Sequence, residues 1–160
     1  MSAGSLGQGL SVAIGAACAK KLNGDDHQVY SLNGDGELQE GQIWEAAMYA
    51  AHVKADTLTA IIDYNKYQES GAISLELALE PFADKWRAFG WHAEEVDGHD
   101  IGALLQALQS VQQAESKPQV IIAHTVKGKG VSFVEADYRF HGKALTPEQA
   151  DKAREEIQCS

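Results

Sequence analysis

The sequence predicts an α/β fold built on a parallel sheet, and three observations lead there. Short apolar, β-prone runs alternate along the chain with stretches of helical periodicity, the order that βαβ units require. Two of those runs, one with Val29, Tyr30 and Leu32 and one with Leu58, Ala60, Ile61 and Ile62, stop at a small hard-oxygen side chain, Asp35 or Asn65, as strands do where open α/β sheets bind ligands. Finally, 160 residues of ordinary apolar content, with no repeat, low-complexity segment or linker, make one domain. A chain of that length buries roughly 68–70% of its unfolded surface.

Taken in order, residues 4–22 open as Gly4-Ser5-Leu6-Gly7-Gln8-Gly9-Leu10 and continue through Val12, Ala13, Ile14, Ala16, Ala17 and Cys18. A serine ahead of so alanine-rich a run reads as a capped helix, and small residues on several faces place it against close neighbours. Gly7, Gly9 and Gly15 each cost about 1 kcal/mol relative to alanine in a helix, which close backbone approach would explain. Asn23-Gly24-Asp25-Asp26 is a turn, 28–33 a strand, and Gly34-Asp35-Gly36 a second turn. Residues 37–53 form the clearest amphipathic helix, with Ile43 and Ala47, then Trp44, Met48 and Ala51, at helical spacing.

Residues 57–64 give the next strand. The segment 66–80 is irregular, broken at Gly71, and ends in a short helix around Leu75, Leu77 and Leu79. Pro81 opens a helix through Trp86 and Phe89 that Gly90 closes. Trp91 to Val96 is a strand, and Asp100 caps the helix carrying Ile101, Leu104, Leu105, Leu108 and Val111. The last strong strand is Val120-Ile121-Ile122-Ala123. It is followed by the loop Lys127-Gly128-Lys129-Gly130 and a charged helix from Thr146-Pro147-Glu148. Trp44, Trp86 and Trp91 are assigned to the core.

Thirteen basic against twenty-three acidic side chains give a net charge of −10, which argues against a nucleic-acid partner. A small phosphorylated ligand is compatible with that charge, because backbone amides and a metal can hold it. Cys18 and Cys159 have no partners at metal-ligand spacing and read as free thiols in a reducing cytosol. No apolar run approaches membrane-spanning length and no signal peptide opens the chain, so a cytoplasmic protein is expected.

If the strands ending at Asp35 and Asn65 are neighbours, the two side chains meet at the carboxyl ends of the sheet. One carboxylate and one amide carbonyl are a lean set that suits Mg²⁺, which takes its remaining oxygens from water and a phosphate. Familiar phosphate motifs fail here. Gly34-x-Gly36 lacks a third glycine at fingerprint spacing, and Gly36-Glu-Leu-Gln-Glu-Gly41 carries Gln42-Ile43 where a P-loop has Lys-Ser/Thr.

The Gly34-Asp35-Gly36 turn, with an asparagine thirty positions after the aspartate, resembles the motif of thiamine diphosphate enzymes. The strings Gly4-Ser-Leu-Gly-Gln-Gly9, Gly34-Asp-Gly-Glu-Leu-Gln-Glu-Gly41, Trp44-Glu45-Ala46, Asp63-Tyr-Asn-Lys-Tyr-Gln68, Trp86-Arg-Ala-Phe-Gly-Trp91, Val96-Asp-Gly-His99 and Thr125-Val-Lys-Gly-Lys-Gly130 narrow the likeness to transketolase. The resemblance spans nearly the whole chain and implies the thiamin diphosphate-binding fold, a three-layer parallel sheet with helices on both faces. It implies thiamine diphosphate and Mg²⁺ as cofactors, Asp35, Asn65 and the Tyr67 carbonyl being the metal ligands. Gly4, Leu6, Asp35, Gly36, Glu37 and Asn65 would bind the cofactor, Leu6 by its side chain, Gly4 by bare backbone and Gly36 by its amide. His141 and Glu40 would be the catalytic residues: His141 near cofactor and sugar, Glu40 (with Glu45) in a chain of carboxylates at a subunit interface. His27, His52, His92, His99 and His124 are assigned to surface, packing or structural roles.

The activity implied is a transketolase-type transfer of a two-carbon ketol unit from a ketose phosphate to an aldose phosphate, in pentose phosphate metabolism. The chain begins in the middle of the family's pattern, without its leading segment or pyrimidine-binding domain. One domain over residues 1–160, inactive alone and completed in a homo- or hetero-oligomer by a pyrimidine-domain (C-terminal) subunit, is therefore expected. A non-catalytic cofactor-binding or interaction module is the alternative, and a relative handling another donor is a third reading.

Overall fold

The structure, a computed structural model, describes residue 2 and residues 4–111 and 116–158; Cys159 lies outside the described residues. Its elements are α1 (Gly9–Asn23), β1 (Val29–Gly34), a 3-10 turn (Gly36–Gln39), α2 (Gly41–His52), β2 (Leu58–Tyr64), the single-turn α3 (Ile73–Glu76) and α4 (Phe82–Ala88). There follow β3 (His92–Asp97), α5 (Ile101–Val111), β4 (Gln119–His124), a second 3-10 turn (Tyr138–Phe140) and α6 (Pro147–Gln158). The four strands lie in the order β1-β2-β4-β3, and all three pairings are parallel.

Period-two alternation divides each strand between two layers. Ala60, Ile62 and Tyr64 of β2 and Val120 and Ile122 of β4 pack with α1, α2 and α4 into the larger core, which also holds Trp86 and Trp91. Ile121 points the other way and packs with Ala107 and Val111 of α5. Helices therefore cover both faces, the three-layer arrangement expected. Burying each of the isoleucine and valine side chains among them contributes roughly 1.5–3 kcal/mol. The second layer is short, however: Tyr30 and Leu32 of β1 are 45% and 74% exposed, although a parallel strand is usually covered on both sides.

Several local expectations are corrected. Helix α1 starts at Gly9, not near Gly4, and Ser5 does not cap it; Gln8 occupies the N-cap without a side-chain bond. The reason is Gly7, whose φ of +84° belongs to the left-handed region and breaks the helix before it begins. The expected helix 37–53 is two pieces, because Glu40 is extended (ψ 126°) between the 3-10 turn and α2. Within α2, Ile43 and Ala47 are buried as the pattern required, but Met48 is 51% exposed. Trp44 is half-buried, its ring 5.3 Å from Trp86 and 5.6 Å from Phe89. Around 73–79 the helix falls one turn earlier than the leucine spacing suggests, leaving Leu75 and Leu77 exposed while Leu79 is buried.

Other local expectations match the structure. Asp100 Oδ1 accepts from the Ala103 amide at 3.0 Å, capping α5. Gly90 (φ +91°) follows α4. Among the described residues Cys18 is a free thiol, and no helix is long and apolar enough to cross a membrane.

Candidate functional site

The carboxyl ends of β1 and β2 lie side by side, with Gly34 paired to Asp63, and the Asp35 amide donates to the Asp63 carbonyl at 3.2 Å. Asp35 caps the following 3-10 turn: its Oδ1 accepts from the Gly36 amide at 2.8 Å. Its Oδ2 accepts from the Lys66 amide at 2.5 Å, which brings the carboxylate against the residue directly after Asn65. Asp35 and the Asn65-Lys66-Tyr67 segment thus meet at adjoining strand ends.

Asn65 is oriented from both sides. Its Nδ2 donates to Asp63 Oδ2 at 3.1 Å, and its Oδ1 accepts from the Tyr67 amide at 3.0 Å. Asp63 is itself held by Thr125, whose hydroxyl donates to Oδ1 from the end of β4. Tyr67 forms an isolated bridge with Ala72, framed by Ile73 N to Lys66 O and Gln68 N to Gly71 O, both 3.0 Å. The Tyr67 carbonyl takes part in neither bond.

Gly36 permits this approach. A Cβ there would fall 2.6 Å from Gln68 Cβ, so any side chain would push the second loop off the first. Asp35 is 1% exposed, and burial, with the negative charge of Asp63 adding to it, pushes its carboxyl up to about 6 despite the backbone amides of Lys66, Gly36 and Asp35 itself, which favour ionisation. A buried carboxylate whose ionisation is opposed, set among amide and carbonyl oxygens, fits a hard divalent cation in donor chemistry. Among the described residues no group of three or more His, Cys, Asp or Glu has metal-holding geometry, so a cation here would rest on the mixed Asp, Asn and carbonyl set.

The other sequence-predicted residues lie around this centre. Gly4 and Leu6 are in the exposed loop before α1; nothing stands within 4 Å of a Cβ added at Gly4, and Leu6 is 54% exposed. Glu37 is committed to backbone, its Oε1 accepting from Gly7 N at 2.8 Å and its Oε2 from Gly34 N at 3.3 Å. Glu40 is exposed beside Gly7 and precedes α2 as its N-cap rather than lying within a helix. Glu45 is exposed on α2, in a shallow depression shared with Ser11 and Gly15 of α1.

His141 is exposed after the second 3-10 turn, its Nδ1 3.5 Å from Lys127 Nζ. His99 accepts from the Val126 amide at 2.8 Å, and His124 lies 3.0 Å from Glu95, consistent with their structural assignment. Sequence reasoning missed Asp63 and Thr125 as the brace of Asn65. Asp63 stands in the motif already quoted, and its position two residues before Asn65 was the available signal.

The sequence and the fold match known proteins. Residues 1–159 fit the family described as transketolase, thiamine diphosphate binding domain. The chain is 44% identical over 158 residues to a 6-deoxy-6-sulfo-D-fructose transketolase subunit of Clostridium sp., covering 99% of this chain and 58% of that protein. It is 41% identical over 157 residues to an apulose-4-phosphate transketolase subunit of Phocaeicola vulgatus, covering 98% and 56%. The crystal structure of a Campylobacter jejuni transketolase superposes with a TM-score of 0.90 at 34% identity, over 97% of this chain and 25% of that one. The chain therefore spans rather more than half the length of the curated subunits it matches.

Proposed function

The chain belongs to the transketolase family of thiamine diphosphate-binding domains, and from that premise we propose that it is the diphosphate- and Mg²⁺-binding part of an enzyme that moves a two-carbon ketol unit between sugars. The observation that carries this reading is the Asp35 carboxylate, buried, opposed in its ionisation, and braced against the segment that presents Asn65 and Tyr67. Asp35, Asn65 and the Tyr67 carbonyl would hold Mg²⁺, and the Gly36 amide would meet the diphosphate. Thiamine diphosphate, when bound, supplies the electron-sink chemistry of ketol transfer.

The chain's own residues do the rest of the binding work. Asp63 and Thr125 keep Asn65 in one orientation, so the donor set is formed before the ligand arrives. Exposed His141 beside Lys127 and exposed Glu40 and Glu45 are assigned to the sugar side of the cofactor and to a contact between subunits, respectively. Residues 1–160 are read as one domain, and a pyrimidine-binding domain, supplied by a partner subunit, would cover the other end of the cofactor. Where that domain is absent, ketol transfer is not expected. The matched subunits are named for 6-deoxy-6-sulfo-D-fructose and for apulose-4-phosphate, which supports a ketose carrying an acidic group as donor.

Calorimetric titration with thiamine diphosphate and Mg²⁺ tests the reading. The wild-type chain binds both together, whereas Asp35→Ala loses more than about 100-fold in affinity, beyond the 10–100-fold carried by outer partners of a metal site. Equal binding by the two proteins would overturn it. Ketol transfer that appears only on mixing with a pyrimidine-domain subunit separates an enzyme part from a passive binding module.

A further inference from the structure

Resting on that reading, we propose that Glu37 and Gln42 are positioning residues that clasp the Gly4–Gly7 loop to the turn after β1. They thereby set Leu6 as an apolar seat for the organic end of the cofactor, apart from the Asp35–Asn65 centre that takes its diphosphate. The clasp has three bonds. Glu37 Oε1 accepts from Gly7 N at 2.8 Å, Glu37 Oε2 from Gly34 N at 3.3 Å, and Gln42 Nε2 donates to the Leu6 carbonyl at 3.3 Å. Glu37 stands two residues after Asp35, in the 3-10 turn that Asp35 caps, so one short element carries both the cation ligand and the anchor of the loop.

Gly7 completes the contact. Its φ is +84°, and a Cβ there would lie 2.5 Å from Gln42 Nε2 and 2.9 Å from Glu40 Cβ, so the loop is pressed directly onto residues 37–42. Leu6 is consequently held through its peptide bond to Gly7, whose carbonyl and amide are both engaged, while its side chain is 54% exposed. Leucine offers nothing to a phosphate, but it matches a flat, weakly polar ring. A carboxylate, conversely, has no favourable direct contact with a diphosphate, and both Glu37 oxygens are already engaged by amides. Glu37 acts through the loop.

The test compares two ligands on the intact chain, thiamine diphosphate and inorganic pyrophosphate, each titrated calorimetrically at saturating Mg²⁺, alongside hydrogen exchange over residues 4–8. We expect Glu37→Ala to weaken thiamine diphosphate by at least about tenfold, the lower end for a hydrogen bond to a charged group, and pyrophosphate by less than about twofold. Exchange in the 4–8 segment quickens while β1 and β2 keep their protection. Glu37→Gln, which keeps one neutral acceptor, falls between. Gln42→Ala, which touches only the loop side, shows a smaller loss of the same selectivity and keeps the test decisive should Glu37→Ala fold poorly.

Equal weakening of both ligands, no weakening of either, or unchanged exchange at 4–8 overturns the proposal. So does a wild-type chain that binds pyrophosphate as tightly as thiamine diphosphate, although the cation and diphosphate reading then stands. A wild-type chain that binds neither ligand overturns that reading and this proposal together.

Discussion

Replacing Asp35 by asparagine should make the metal-free protein less sensitive to rising pH. In the folded chain the carboxyl is pushed from 3.8 up to about 6, chiefly by burial. The fold therefore prefers its protonated form. The stability this confers is complete below the unfolded value of 3.8 and is lost as pH rises through about 6. At 1.36 kcal/mol per pH unit, the loss by neutral pH amounts to roughly 3 kcal/mol. About half of it, ~1.4 kcal/mol, falls between about pH 5 and pH 7.5. Asparagine cannot ionise, so Asp35→Asn lacks this slope, whatever it gains or loses at a single pH by exchanging one acceptor for an N–H. Urea unfolding at those two pH values, with chelator present and buried Trp86 and Trp91 as fluorescent reporters, measures the difference. Mg²⁺ with thiamine diphosphate at about 100 times Kd should then raise wild-type stability by about 2.7 kcal/mol and leave the variant unchanged. Parallel pH slopes in the two proteins would refute the argument that burial governs this carboxyl.

Two further outcomes follow from the packing. Gly36→Ala puts a methyl 2.6 Å from Gln68 Cβ, about 1 Å inside ordinary contact, so the Lys66–Gln68 loop must move away from Asp35. Overpacking of this kind costs about 1–3 kcal/mol, and we expect urea titration to show it together with a calorimetric loss of cofactor binding. Trp91→Phe removes the bond from Nε1 to the buried Ala47 carbonyl (2.9 Å) and loosens the edge contact with Trp86 (4.8 Å between ring centres). A destabilisation of about 2–4 kcal/mol is expected by urea titration, with the cofactor affinity of the remaining folded protein unaltered.

The meeting of Asp35 with the Asn65 segment was legible because strand ends are marked by composition: apolar runs halt at turn residues, and neighbouring parallel strands bring their ends together. The three layers were expected only from the family likeness; the period-two burial that divides each strand between them follows from the pleat. What escaped prediction depends on contacts distant in sequence. Nothing local reveals that Gly7 takes a positive φ; the loop is shaped by Glu37 and Gln42, some thirty residues on, and so Ser5 looked like a cap. Glu40 interrupts a helical pattern beside Gly41, a break that the apolar spacing of 37–53 overrode. The hydrophobicity that identified β1 does not say whether both its faces are covered: α5 packs over β3 and β4 and leaves Leu32 open. Asp63 was visible as a motif letter but not as a brace, because its second partner, Thr125, arrives from β4.

The division of the site between two strand ends also fixes when in the life of the polypeptide it comes into being. Asp35 and the Lys66 amide are 31 positions apart and are joined only after the crossover through α2 has closed and β1 has paired with β2, a non-local event. A nascent or chaperone-held chain therefore offers the vitamin-derived ligand nothing to grip. If the site takes that ligand as proposed, loading with it marks completed tertiary structure.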